Sequence, residues 1–350
     1  MDLVSRDFRL DVFRIFCMYL ICLNHSVWYV ASRWTHPLVC LSSAGVIGFV
    51  LISGYFGIRF SWRKVVNLEL TALSCAFLVI LLGENTKFEV FSILALKQLV
   101  TVWKWYWFVH AYVFLMCLAP LVPDVRTYKD LNVRTFIPII LAVYGWSFLT
   151  LVPGVQAYVP RTPGLTAYSG ITLFAVYLIG RLFRAYDGAR LNACLVYLVA
   201  LIGGVISVLS GPCCLRWGGV LSHYNSPFLL AFGFGLFFFF HCWMSPFPLS
   251  KKVRFLIKLI TPSILSVYLI HCNVYGFRGL GFLERHLLWC PETLRFLLVA
   301  FIVFVGCILL DIPRRMVVAI LRTVRAAVSG RLNPLRGCER TKETVNSVFL

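Results

Sequence analysis

The sequence predicts an all-α integral membrane protein, a bundle of about ten transmembrane helices with both termini cytoplasmic. Three observations predict it. Sixty per cent of the 350 residues are hydrophobic, 13% are charged and the mean hydropathy is +0.84, whereas a soluble domain carries about a quarter charged residues. Ten stretches are long and apolar enough to cross about 30 Å of hydrocarbon as helices. Lys and Arg are also unevenly shared between alternate connections, as membrane topology requires.

The ten stretches lie near residues 11–30, 42–58, 64–83, 105–123, 135–152, 167–183, 191–209, 226–244, 253–272 and 294–312. Pro, Gly or charge punctuates the junctions, as in PDVRTYKD (123–130), VPGVQAYVPRTPG (152–164), RAYDGAR (184–190) and SPFPLSKK (245–252). With a cytoplasmic N-terminus, 24 of the 33 Lys and Arg fall on the inner side: Arg6, Arg9 and Arg14; Arg59, Arg63 and Lys64; Arg126, Lys129 and Arg134; Arg181, Arg184 and Arg190; Lys251, Lys252, Arg254 and Lys258; and eight after Pro313. The bias holds loop by loop, which requires an even number of spans. Residues 1–313 form the membrane domain and 314–350 a basic amphipathic cytoplasmic tail. In that tail RRMVVAILRTVRAAV sets basic against apolar residues at helical spacing, the pattern of a helix lying on an anionic leaflet.

The net charge of +19 is accounted for by these inner loops, and no basic segment stands apart from the spans, so nucleic acid is not a partner. The first apolar run contains Asn24 and His25 and lacks a small-x-small cleavage site, so it is a retained helix and not a signal peptide. Thirteen cysteines show no CxxC or Cys/His metal spacing. Cys40, Cys213, Cys214 and Cys290 fall in outer connections, where a disulfide is chemically permitted. No Walker A loop, GxGxxG turn, HExxH helix or GxSxG elbow is present, which removes ATP-driven transport and metalloprotease readings.

The chemistry concentrates in RLDVFRIFCMYLICLNHS, residues 9 to 26. Ionisable groups in membrane helices are costly, so they are functional candidates by default. Arg14 and His25 are eleven residues apart, about three turns, so they share one face about 16 Å apart along the axis. Asp11 lies one turn before Arg14 on nearly the same face. His25 is a candidate base for a hydroxyl nucleophile; the plainer explanation is a histidine satisfied by a neighbouring helix. In FVLISGYFGIRFSWRK (49–64), Ser53 and Tyr55 bring hydroxyls to the inner face, followed by Arg59, Arg63 and Lys64. That cluster is positive-inside charge and, beside Arg14, a candidate phosphate site. In WKWYWFVHAY (103–112), Trp103 and Trp105 suit an interfacial belt, while Trp107 and His110 sit deeper and are candidates to line a cavity. SILSVYLIHCNVY (263–275) brings Tyr268, His271, Asn273 and Tyr275 to the outer face.

Arg9, Asp11, Arg14 and His25, then Ser53-Gly54-Tyr55, then Trp107-Phe108 leading to LAPLVP, then Tyr268 to His271, resemble in order the motifs of the acyltransferase 3 family, integral membrane O-acyltransferases of glycans. The resemblance implies ten helices with cytoplasmic termini in the cell (inner or plasma) membrane. It implies acyl-CoA, usually acetyl-CoA, as cosubstrate with no tightly bound cofactor or metal, and an acceptor hydroxyl on an envelope polysaccharide or lipid-linked sugar. Carried onto this chain, His25 is the catalytic base and Arg14 binds or orients the donor, with Asp11, Ser53, Tyr55, Arg59 and Arg63 beside it. Trp107, His110, Tyr268 and His271 are placed against the acceptor. The family often has an Arg-x-x-Arg pair after its second span; here Arg59, Arg63 and Lys64 stand instead. Two alternatives compete. A transporter or flippase for a lipid-linked sugar also fits polar groups at depth, but neither repeated halves nor matching broken helices are visible. A glycosyltransferase would favour carboxylates in a large outer loop, and the outer loops are short.

Overall fold

The structure is a computed structural model that describes residues 7–26, 36–83, 93–122, 133–149, 152, 170–186, 191–213, 223–242 and 249–332. All regular structure among the described residues is helical. In chain order the helices are α1 (Phe8–Ser26), α2 (His36–Ser42), α3 (Ala44–Phe56), α4 (Trp62–Gly83), α5 (Ile93–Lys104), α6 (Trp107–Leu118), α7 (Val133–Leu149), α8 (Gly170–Ala185), α9 (Ala193–Cys213), α10 (Pro227–Cys242), α11 (Lys251–Ile260), α12 (Ile264–His271), α13 (Val274–His286) and α14 (Glu292–Leu332).

The ten expected stretches fall on these helices in order, with departures that have local causes. The second, expected from 42, is α3, and the helical path breaks at Ser43 between it and the preceding α2. The ninth is α11 and α12 joined by a 3-10 turn at Thr261–Ser263, where Pro262 cannot donate to the α-helical ladder. Three helices, α2, α5 and α13, were not anticipated. In α5, Lys97, Gln98 and Lys104 dilute the hydropathy, and α13 carries Gly276, Gly279 and Gly281. The tenth runs on through Pro313 as part of a 41-residue helix, so the tail expected from Arg314 begins inside α14. Among the described residues, four helical stretches are long and apolar enough to cross a membrane: Pro37–Phe56, Trp62–Leu81, Lys251–His271 and Glu292–Leu321. Large apolar side chains on α4, α9 and α14, among them Leu70, Phe77, Leu195, Leu201, Phe301 and Leu309, face outward as lipid-facing surfaces do. Of the cysteines placed in outer connections, Cys40 and Cys290 are buried, while the side chains of Cys213 and Cys214 lie outside the described set.

α1 is the central helix, packed by α2, α3, α10, α11, α12 and α14. Helices in lipid approach closely where small residues meet, and α3 uses this on three sides. A Cβ on Gly45 or Gly48 would strike Cys17 of α1, and one on Gly54 would strike the α8 backbone at Tyr177 and Gly180. On the third side, Gly233 of α10 has its own Cβ position filled by Ile47. Because α3 is pressed between α1 and α8, the ends of all three meet.

Candidate active site

Two sites form at opposite ends of α1. At the N-terminal end the structure gathers cations. Arg9 makes a two-pronged pair with Asp7 (Nε–Oδ1 3.0 Å, Nη2–Oδ2 3.0 Å) and donates to the His241 carbonyl at the end of α10. Arg14 donates to Oδ1 of the buried Asp11 at 2.9 Å, and its guanidinium lies 5.5 Å from the centre of the Phe56 ring. Arg254 and Lys258 of α11 approach Phe8. From α8, Arg184 donates to the Tyr55 hydroxyl at 2.5 Å and covers its ring at 4.7 Å. His241 lies against the same tyrosine with ring centres 4.9 Å apart.

At the other end, the last turn of α1 meets the last turn of α12. His25 Nδ1 and His271 Nε2 are 2.8 Å apart. His271 is buried and its Nδ1 contacts the Val267 carbonyl one turn back. A carbonyl only accepts, so His271 carries its proton on Nδ1. With both rings neutral, His271 Nε2 then accepts and His25 Nδ1 donates. The proton placement follows from this network. It leaves the lone pair of His25 on Nε2, the tautomer a general base needs. The half-buried His25 and the enclosed His271 are thus inequivalent: His271 is fixed between Val267 and His25, and His25 is held at its Nδ1.

Local sequence explains how His271 is held. Asn273 donates to the carbonyls of Leu269 and Ile270 (3.0 and 2.9 Å) and accepts from Gly276 N, closing the turn between α12 and α13. A Cβ on Gly276 would collide with the His271 backbone, so only glycine lets α13 start there. Tyr106, just before α6, donates to the Leu269 carbonyl at 2.7 Å and pins the same turn. Asn24, beside His25, donates to Ser42 and Ser43 at the break between α2 and α3.

A file of side chains joins the two ends. Tyr268 stands edge-on to His271, and its hydroxyl accepts from Phe108 N. The Phe108 ring lies 6.0 Å from Tyr268 and 5.8 Å from Tyr112, and the Tyr112 hydroxyl is 3.2 Å from Ser53 Oγ and within electrostatic reach of Arg14. Trp107 packs edge-on against Phe108 and stacks on Tyr224 at 5.6 Å.

Of the residues singled out from sequence, His25, His271, Tyr268 and Trp107 gather at the histidine end, with Ser53 on the connecting file. Arg14, Asp11 and Tyr55 gather at the basic end. His110 stands apart from this file, its ring 4.3 Å from Trp103, and Trp103 Nε1 donates to Glu69 at 2.9 Å. Arg59 and Arg63 are exposed beyond the α3 turn. Two groups escaped sequence reading. Arg181 and Arg184 were counted only as inner-loop charge. Asp311 is fully buried and paired with Arg314 (2.6 Å), which also donates to Ser74 and Ser266, tying α14 to α4 and α12. Their signal was there, as a carboxylate with arginines three and four residues on in an apolar helix.

The chain was compared with protein families, curated proteins and solved structures. No curated protein and no solved structure matches. A family model described as an acyltransferase domain, acyltransferase 3, matches residues 7–312, which takes in both ends of α1 and every helix of the connecting file. The chain belongs to the acyltransferase 3 family and is a membrane acyltransferase.

Proposed function

We propose that this protein is an O-acyltransferase. In this reading it moves an acyl group, acetyl foremost, from acyl-CoA to a hydroxyl of an envelope polysaccharide or lipid-linked sugar in the inner or plasma membrane. The observation that carries the reading is the hydrogen bond between His25 and His271, which gives one histidine a basic nitrogen of fixed direction. In this reading the basic end of the bundle faces the cytosol, where acyl-CoA is found, and ten spans return both termini there; the Lys and Arg distribution supports that orientation. Acyl-CoA is a cosubstrate, its anionic groups held by Arg14 and neighbouring cations and Asp11 holding Arg14 in place. Its pantetheine arm runs past Ser53 and Tyr112 toward His25, about 16 Å up the α1 axis from Arg14.

The acceptor hydroxyl arrives from the opposite face, against Trp107 and Tyr268. Its oxygen attacks the thioester carbonyl while His25 Nε2 takes its proton. The C–O bond forms, the C–S bond breaks, and the proton passes to the departing CoA sulfur. His271 holds the His25 ring throughout and accepts from Nδ1 as positive charge develops on it.

The test is acceptor-dependent release of CoA by purified protein in lipid nanodiscs, supplied with acetyl-CoA and candidate glycans. Release by wild type that vanishes in folded His25→Ala supports the reading. No release with any acyl donor, together with no donor binding, would transfer the protein to the class of lipid-linked sugar transporters.

A further inference from the structure

The turn that ends α3 receives guanidinium groups from two helices on three successive residues. Arg184 of α8 binds and covers Tyr55, Arg14 of α1 lies over the Phe56 ring, and Arg181 of α8 lies against Gly57. The approach of Arg181 is built into the backbone. Gly57 has φ 77°, a left-handed conformation that favours glycine, and a Cβ there would fall on the Arg181 guanidinium. Arg181 is itself only 5% exposed. The Gly54–Gly180 contact sets α8 against α3 and so delivers both α8 arginines to this turn. Tyr177, one turn before Arg181, accepts from Ile58 N and fixes the chain just past the turn.

Holding several guanidinium groups this close costs Coulomb energy that an anion with several oxygens would offset. Arg59 and Arg63, the cations next in sequence, lie outside the cradle and exposed. We propose that Arg181 and Arg184 of α8, set around the Tyr55–Gly57 turn and beside Arg14, form the subsite that binds the phosphate groups of the acyl donor. The proposal rests on the acyl-CoA reading above and adds to it which arginines take the phosphates. Arginine suits the task because its planar fork meets two phosphate oxygens at once. The positions of Ser53 and Tyr112 then start the pantetheine arm on the file that leads to His25.

The experiment measures binding of CoA, dephospho-CoA and pantetheine to full-length protein in nanodiscs of phosphatidylcholine, with and without phosphatidylglycerol. Wild type should bind CoA more tightly than pantetheine in both lipids. Arg184→Gln, whose residue is exposed and whose loss the fold should tolerate, should weaken CoA binding about tenfold or more while leaving pantetheine binding in place. Arg181→Gln and Gly57→Ala should act in the same direction, and the exposed Lys252→Gln should not. Unfolding temperatures matching wild type establish that each variant is folded. Unchanged CoA affinity in folded Arg184→Gln would overturn the subsite while leaving the acyl-CoA reading intact. Unchanged CoA affinity combined with loss of co-purifying phosphatidylglycerol would reassign the cradle to a lipid headgroup. Wild type that binds neither CoA nor pantetheine would overturn the donor reading itself.

Discussion

The two ends of α1 solve different problems with different chemistry. The N-terminal end assembles formal charge: Arg9, Arg14, Arg184, Arg254 and Lys258, with Asp7 and Asp11 as partners. The C-terminal end contains two imidazoles, hydrogen-bonded to each other and to a carbonyl, among tyrosine, asparagine and glycine. Charge attracts and holds a large anion over several ångströms without demanding one geometry. A neutral hydrogen-bonded base does its work only at hydrogen-bond distance and in one tautomer. Binding should therefore be spread across the basic end and chemistry concentrated in one or two side chains at the other. Kinetics can separate the two.

The largest effect is expected at His25. His25→Ala should lower kcat by roughly 10²–10⁴, the range for loss of a general base, with donor affinity close to wild type. A fall in donor affinity that matched the fall in kcat would mean that His25 binds and does not catalyse. The next effect should come from His271, through its hold on the His25 ring. His271→Ala and Gly276→Ala, the second driving a methyl group into the His271 backbone, should each lower kcat by about ten- to a hundredfold with donor KM little changed. At the basic end the pattern should reverse. Arg14→Gln should raise donor KM by about tenfold with a smaller change in kcat, since lost uniform binding appears in KM. Equal kcat losses at both ends would erase the division of labour.

How much of this was legible in the sequence follows the range of the interactions. Arg14 and His25 share a face of one helix, so their spacing alone placed them, and Asp11 one turn away came with them. The ring that orients His25 lies 246 residues along the chain; the sequence marks His271 as a polar residue at the outer face and sets it against the acceptor. Arg181 and Arg184 reach the α3 turn only because Gly54 and Gly180 let two backbones touch. Each glycine is visible in sequence, but which partner it meets is a tertiary fact, so the arginines read as topology charge. Asp311 and Arg314 were divided between a span and a tail because Pro313 looked like a helix end. Proline interrupts one hydrogen bond, and a long apolar helix in lipid tolerates that when neighbours supply partners. Arg314→Ala, which leaves Asp311 buried with Arg315 at 3.4 Å as its remaining arginine partner, should lower stability by at most about 3–5 kcal/mol without the kcat signature of the histidine end.

The smallest effect should come from the pair at the rim. Burial raises the Asp7 carboxyl, but the hydrogen bonds and charge of Arg9, with the backbone N–H groups of Arg9 and Leu10, together hold it below its ordinary value of 3.8. A carboxyl lowered by folding stabilises the folded state above its unfolded value, and that contribution is lost as pH falls through the lower folded value. At neutral pH the whole contribution is present. Because the pair lies at the surface end of α1, with Arg9 30% and Asp7 17% exposed, Asp7→Asn should cost less than about 1 kcal/mol. Thermal unfolding from pH 7 down to pH 3 checks this: wild type and Asp7→Asn should converge in acid. Donor KM at pH 7 should stay near the wild-type value, because the His241 carbonyl still holds Arg9 Nη1 in the variant. A large rise in KM would extend the phosphate site to Arg9 and make the whole basic end one continuous anion surface.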